Sequence, residues 1–282
     1  MDSYHGAREE TGSLARFDWY AATLPEQTKT AGIDVLAALG DARPELVRGQ
    51  YGYPRGWKVQ REGSTLLTVF EGDDLRDHVV ATGADAHEVA GAMKRRFPAH
   101  SVSRADVCLD FDAGPSFFAE TRALAHELLA GKVTLTDYVE TAPKGIAATL
   151  YVGSRASEVR ARLYEKGKES PDTHPPDRVR LEVQVRPQKP DRKALASMVE
   201  PIGFWGFSRW SRELLEEVSG RTAPAAPVRS ARVSDLDGAL DAMAKQYGRR
   251  LLQLAERLEG DYEAIAVDLL RRVAQQYPNG ES

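Results

Sequence analysis

Two hydrophobic periods share this chain. Single alternation of apolar and polar residues, the signature of a strand with unlike faces, recurs up to about residue 190. FDWYAATLP (17–25) reads as a strand closed by its proline. WKVQREG and TLLTVFEG read as a hairpin turning at Gly63 and Ser64. SVSRADVCLDFD, VTLTDYV, GIAATLYVG, EVRARLYEKG and RVRLEVQVRP read as further strands. A period of three to four marks helices in TKTAGIDVLAALG, stopped at Gly40, in residues 84–97, with a basic last turn and Pro98 beyond, and in SFFAETRALAHELLAG, ending at Gly131. Residues 191–219 read as helix interrupted by the aromatic patch IGFWGFSRW, which suits core or dimer packing better than base stacking. RTAPAAPVRSARV then reads as a linker, and Ser234 as the cap of a helical tail. The tail carries Leu240, Met243, Tyr247, Leu251, Leu254 and Leu258 at helical spacing. The expected organisation is an α+β core with an antiparallel sheet flanked by helices (1–220), a linker (221–233) and a helical C-terminal region (234–282). No internal repeat of 20–50 residues is visible.

Three strands share one pattern. Ala105, Val107, Leu109 and Phe111 oppose Arg104, Asp106, Cys108, Asp110 and Asp112; Val159, Ala161 and Leu163 oppose Arg160, Arg162 and Tyr164; Val179, Leu181, Val183 and Val185 oppose Arg178, Arg180, Glu182, Gln184 and Arg186. For one strand alone, a solvated sheet face explains this. If the three are neighbours, one surface gathers carboxylates, arginines and a tyrosine. Close carboxylates repel unless a cation sits between them, arginines suit phosphate, and a tyrosine beside both can serve as a nucleophile. That combination points to metal-assisted phosphodiester chemistry.

Composition narrows the alternatives. The 282 residues carry 38 Lys+Arg against 42 Asp+Glu, a net charge of −4, which argues against coating DNA nonspecifically yet permits a local basic groove. The single cysteine, Cys108, cannot form an internal disulfide, which suits a reducing compartment. With no apolar run of membrane-span length and no leader-like start, a soluble cytoplasmic protein is expected. Between two strands, GSRAS places Gly153, Ser154, Arg155 and Ser157 in a tight turn whose hydroxyls and guanidinium can bond phosphate oxygens; it lacks the Gly-Lys-Ser/Thr ending of a Walker A loop.

The order RADVCLDFD, YVGSRAS, RLYEK, RLEV resembles the Rep_trans replication initiation factors of rolling-circle plasmids and some phages, to which relaxases of integrative conjugative elements are similar. The match is good over residues 100–190 and loose over the flanking core. The resemblance implies a sequence-specific DNA nickase with a tyrosine nucleophile and Mg²⁺ or Mn²⁺, on a sheet related in layout to the His-hydrophobic-His nucleases. The six histidines (5, 78, 87, 100, 126 and 174) form no His-x-His pair, which suits the acidic metal site of the Rep_trans pattern. By motif, Tyr164 matches the nucleophile, and Glu182 with Asp106 (first choice) or Asp110 (second) matches the metal-binding positions. Ser154, Arg155, Ser157, Arg162, Lys166 and Arg180 would contact DNA phosphates. Alternatives are sheet packing for Tyr164 and a salt bridge to Arg162 or Arg180 for Glu182, while Tyr151 and Tyr138 are rival nucleophiles outside the motif. His100, His126 and His174 are expected at the surface or in loops. The expected partners are origin DNA (single-stranded or melted), a second copy of the chain and a host helicase, with no membrane. A noncatalytic origin-binding protein and a nuclease that uses water are the competing functions.

Overall fold

The computed structural model describes residues 12–25, 31–142, 145–226 and 235–276. The chain divides into two units, Met1–Pro227 and Val228–Ser282. In the first unit, β1 (Arg16–Thr23) leads through α1 (Ala31–Ala37) into a meander of β2 (Glu45–Arg48), β3 (Arg55–Arg61), β4 (Ser64–Gly72) and β5 (Leu75–Thr82). β5 returns to pair with β1, and α2 (Ala86–Arg96) follows. β6 (Ser101–Phe111) then repeats the plan. It leads through α3 (Phe117–Leu129) into β7 (Leu135–Ala142), β8 (Gly145–Val152) and β9 (Val159–Tyr164), then past the single turn α4 (Lys166–Glu169) into β10 (Val179–Val185). β10 pairs with β6, and α5 (Pro190–Met198) follows. β1 and β6 pair at the centre, giving one antiparallel sheet in the order β2-β3-β4-β5-β1-β6-β10-β9-β8-β7. Two halves of the same β-α-β-β-β-β-α plan therefore meet back to back, a duplication of layout that no sequence repeat announces.

The alternation expected from sequence sets the two faces. Phe17, Tyr20, Val107, Leu109, Ala161, Leu163, Leu181 and Val183 turn to one face and are buried. Val89 and Met93 of α2, Leu129 of α3 and Ala196 of α5 join them in one core cluster. The 3-10 segment Pro201–Phe207 packs there too, with Phe204 and Trp205 fully buried, so the aromatic patch is core. His100 stands in the loop before β6, as expected, but is buried there, bonded to the Tyr20 hydroxyl and the Phe97 carbonyl. Ser208 caps α6 (Arg209–Ser219), and Gly220, at φ +65°, ends it.

Three differences from the sequence reading have local causes. β5 has no counterpart in that reading because residues 77–81 are buried on both faces, which erases the alternation. The β3–β4 turn falls at Glu62 and Gly63, both at positive φ, one residue earlier than expected. Residues 221–226 are not a free linker: Ala223 and Ala226 are buried, and the Ala226 amide donates to the Gly206 carbonyl. The rest of the expected linker, the capping role of Ser234 and the start of the first helix at 28–30 lie outside the described residues. The second unit holds α7 (Asp235–Arg257) and α8 (Tyr262–Gln276). Met243, Tyr247, Leu251, Leu254 and Leu269 line a groove between these two helices. Among the described residues, no helix is long and apolar enough to cross a membrane.

Candidate functional site

β6, β10 and β9 are consecutive neighbours, so the three patterned strands do share one surface. Register places Glu182 opposite Cys108 and Arg162, Gln184 opposite Asp106 and Arg160, and Arg180 opposite Asp110 and Tyr164. The face away from the helices becomes a packed layer of ion pairs. Arg162 grips Glu182 through both terminal oxygens (2.9 and 3.0 Å), and Arg104 grips Asp106 likewise (2.9 and 2.6 Å), with Gln184 adding a bond to Asp106 at 3.2 Å. Arg180 holds Asp110 at 2.6 and 3.0 Å and reaches Asp18 at 2.9 Å, while Arg16 holds Asp110 at 2.7 Å. The salt-bridge alternative for Glu182 is thus realised, to Arg162.

Tyr164 ends β9 inside this layer and is 4% exposed. The Arg162 guanidinium lies 4.9 Å and the Lys166 ammonium 5.8 Å from its ring centroid. Its hydroxyl has no hydrogen-bond partner among the described residues. Burial pushes the phenol well above its ordinary value; Glu182 adds to the rise, and Arg162 and Arg180 oppose it. The chain is turned sharply just beyond, because Gly167 sits against the SPDTHPPD loop. A Cβ there would lie 2.0 Å from the Pro175 carbonyl oxygen.

The carboxylates separate into two kinds. Burial would raise Asp110, but hydrogen bonds from Arg180 and Arg16 hold it down at about 2. Arg180 is itself 2% exposed, so it braces the interior rather than facing DNA. Its expected phosphate contact is not supported, because its guanidinium is already shared between Asp110 and Asp18. Glu182 is 1% exposed; burial and the neighbouring Asp106 charge push its carboxyl up to about 7, against the pull of Arg162. Glu182 faces Cys108, so Asp106 and Asp110 are its two diagonal neighbours on β6; Asp110 is taken up by Arg180 and Arg16, and it is the Asp106 charge that bears on Glu182. Among the described residues, no group of three His, Cys, Asp or Glu side chains is placed to hold a metal ion. Mg²⁺ commonly takes one or two carboxylates plus substrate phosphate oxygens, and Asp106 and Glu182 supply such oxygens, each of them paired with an arginine. Cys108 does not compete, since burial pushes its thiol up to about 12.

The other expected phosphate ligands flank this layer. Gly153, at φ +90°, turns the chain out of β8, and its amide donates to the Thr134 carbonyl. Beyond it, Ser154, Arg155 and Ser157 are exposed, with the two hydroxyls 2.9 Å apart. Lys166 pairs with Glu169. Sequence reasoning passes over Arg160, Arg186 and Trp19. Their signal is present in the outward strand positions, but their convergence depends on β1, β9 and β10 meeting in one sheet. Of the rival tyrosines, Tyr151 is the β8 neighbour of Arg162, half-buried, with the Arg160 guanidinium 4.1 Å from its ring centroid, and Tyr138 is exposed on β7.

No protein-family model and no curated protein matches the chain. Among solved structures, it is similar to a rolling circle replication initiator protein from Geobacillus stearothermophilus, with 19% identity and a TM-score of 0.53 over 76% of this chain and 99% of that one. The chain shares the fold of that initiator, a large antiparallel sheet flanked by helices.

Proposed function

We propose that this protein initiates replication by nicking and rejoining one DNA strand at an origin, with Tyr164 as nucleophile. The observation that carries the reading is a buried tyrosine with an unbonded hydroxyl, beneath Arg162 and Lys166 and on the same sheet face as Asp106 and Glu182. In the proposed step the phenolic oxygen bonds to phosphorus as the P–O3′ bond breaks. The phenol releases its proton and the departing 3′ oxygen takes one up, leaving a 5′-phosphotyrosine and a free 3′-OH. Return of that 3′-OH to phosphorus restores the strand. Arg162 and Lys166 favour the phenolate, and Arg155, Ser154 and Ser157 would hold phosphate oxygens. Asp106 and Glu182 would hold Mg²⁺ or Mn²⁺, which when bound would supply Lewis-acid stabilisation of charge on the reacting phosphate. Arg104 and Arg162 hold the two carboxylates in place.

Denaturing gels of labelled single-stranded origin DNA test this reading. A covalent protein–DNA adduct that requires Mg²⁺ or Mn²⁺ is expected, and chelator should abolish it. Cleavage without an adduct would mean hydrolysis, and neither product would mean binding alone. Undiminished nicking in excess chelator would remove the cation from the proposal.

A further inference from the structure

Three clefts on the same face join end to end. The first, about 250 Å³, includes Trp19, Tyr51, His78, Arg104 and Arg186 in its lining. The second, about 230 Å³, shares Arg104 and Arg186 with it and adds Arg160, Arg162 and Tyr151. The third, about 180 Å³, shares Tyr151 and Arg160 and ends at Ser154 and Arg155 of the GSRAS turn. Together they form a trough across the strands, from β5 and β1 through β6, β10 and β9 to β8 and β7. From β1 to β8 it spans four strand spacings, about 19 Å.

The chemistry of its lining changes along its length. At the β1–β5 end the floor is apolar and aromatic: Ala21, Phe70 and Val80 form a small buried cluster packed against Trp19 and Tyr53. From Arg186, which lines the first two clefts, to Arg155 in the third, it is cationic. Arg155, Arg160 and Arg186 have no ion pair among the described residues, in contrast to the neutralised arginines of the ion-pair layer. Arg160 lies over Tyr151, its Nε is buried without a hydrogen-bond partner, and Arg104 lies over Trp19, whose indole N–H is likewise unpartnered. Burial lowers the Arg160 guanidinium from its ordinary value, and repulsion from Arg155, Arg162 and Arg186 adds to this. Uncompensated guanidinium groups this close call for an anion, and unsatisfied donors beside aromatic faces call for something that both accepts hydrogen bonds and stacks.

We propose that this trough is the seat of single-stranded DNA flanking the nick, with phosphates on Arg160, Arg186 and Arg155 and bases over Trp19 and Tyr151. Backbone charge plus aromatic stacking is the combination that binds single strands without reading sequence. A duplex presents its bases edge-on inside two backbones and cannot lay a base face on either ring. Arg160 lies four residues from Tyr164 on β9, about 13 Å along the strand, so a strand held here passes Arg162 on its way to the nucleophile. The inference rests on the nicking reading for its biological setting, but its binding chemistry stands apart from it.

Fluorescence anisotropy of the full chain with a labelled thymidine homo-oligomer of about 15 nucleotides, across a salt series, provides the test. The oligomer has no origin site, so nicking does not enter the readout. Arg160→Ala with Arg186→Ala should weaken binding at least tenfold. It should also flatten the slope of log affinity against log salt by about 1.4, or about 0.7 for each phosphate that the protein no longer neutralises. The Arg160→Lys, Arg186→Lys pair keeps the charges and should retain most of the slope, which guards against a misfolded alanine variant. Arg209→Ala, on the helix side, should change nothing. Trp19→Phe should lose part of the tryptophan quenching that the oligomer causes. Binding by the double alanine variant within twofold of the parent with an unchanged slope would overturn the proposal, as would equal affinity for a duplex of the same length. Arginine-dependent binding without any adduct on origin DNA would instead overturn the nicking reading alone.

Discussion

Tyr164 and the carboxylates around it differ in what their neighbours have done to them. Tyr164→Phe removes only the attacking oxygen and keeps the ring beneath Arg162 and Lys166. The adduct should fall to background on a denaturing gel while DNA affinity stays within a few-fold. Asp106→Asn and Glu182→Gln should each raise the Mg²⁺ concentration needed for half-maximal nicking. Asp110→Asn should leave that concentration unchanged and lower stability instead. It leaves the buried Arg180 with only Asp18 as a charged partner, at a cost of about 3 kcal/mol in chemical denaturation. Acid should expose the same pair. The Asp110 carboxyl is held at about 2, below its unfolded value of about 3.9, so its contribution is complete above about pH 4 and lost as pH falls through about 2. Denaturation curves across that window should show a loss of stability that Asp110→Asn lacks.

At the scale of elements, the turn after β9 decides where Tyr164 stands. Gly167 donates its amide to the Arg178 carbonyl and lies against the Pro175 and Pro176 carbonyls, at 2.0 and 2.6 Å from where a Cβ would be. Gly167→Ala should therefore displace the turn, cost about 1–3 kcal/mol in thermal or chemical unfolding, and depress nicking with it. Gly248, inside α7, is the opposite case: nothing lies within 4 Å of its added Cβ. Gly248→Ala should strengthen that helix by about 0.5–1 kcal/mol, read as higher helicity by circular dichroism, without altering chemistry on single strands.

For the whole molecule, the boundary between the units sets what can be removed. A chain ending at Ala226 keeps the buried Ala223 and Ala226 and the bond to Gly206, and one ending at Gly220 loses them. The longer truncate should melt higher than the shorter and should nick a single-stranded oligonucleotide like the full chain, because the proposed chemistry lies between residues 104 and 186. Its efficiency on supercoiled duplex origin should fall if α7 and α8 serve assembly or origin contact. Equal activity on both substrates would leave those helices without such a role.

Much of this protein is legible in one dimension. Alternation in RADVCLDF, VRARLY and VRLEVQV determined which side chains leave the core, because a strand cannot turn two successive residues to one side. The motif order around RLYEK nominated Tyr164, Glu182 and the two aspartates, and the sheet brings these residues to one face. Strand adjacency was beyond that order. That Arg180 is taken up by Asp110 and Asp18 follows from the β6–β10 register, which pairs Arg180 with Asp110, 70 positions away. The strand β5, buried on both faces, carried no alternation to read. The trough arose only when β1, β9 and β10 came into one sheet, since the outward positions of Trp19, Arg160 and Arg186 do not say which strands are neighbours. The two-half plan of the sheet is likewise a matter of hydrogen-bonded strand order, which no sequence repeat announces.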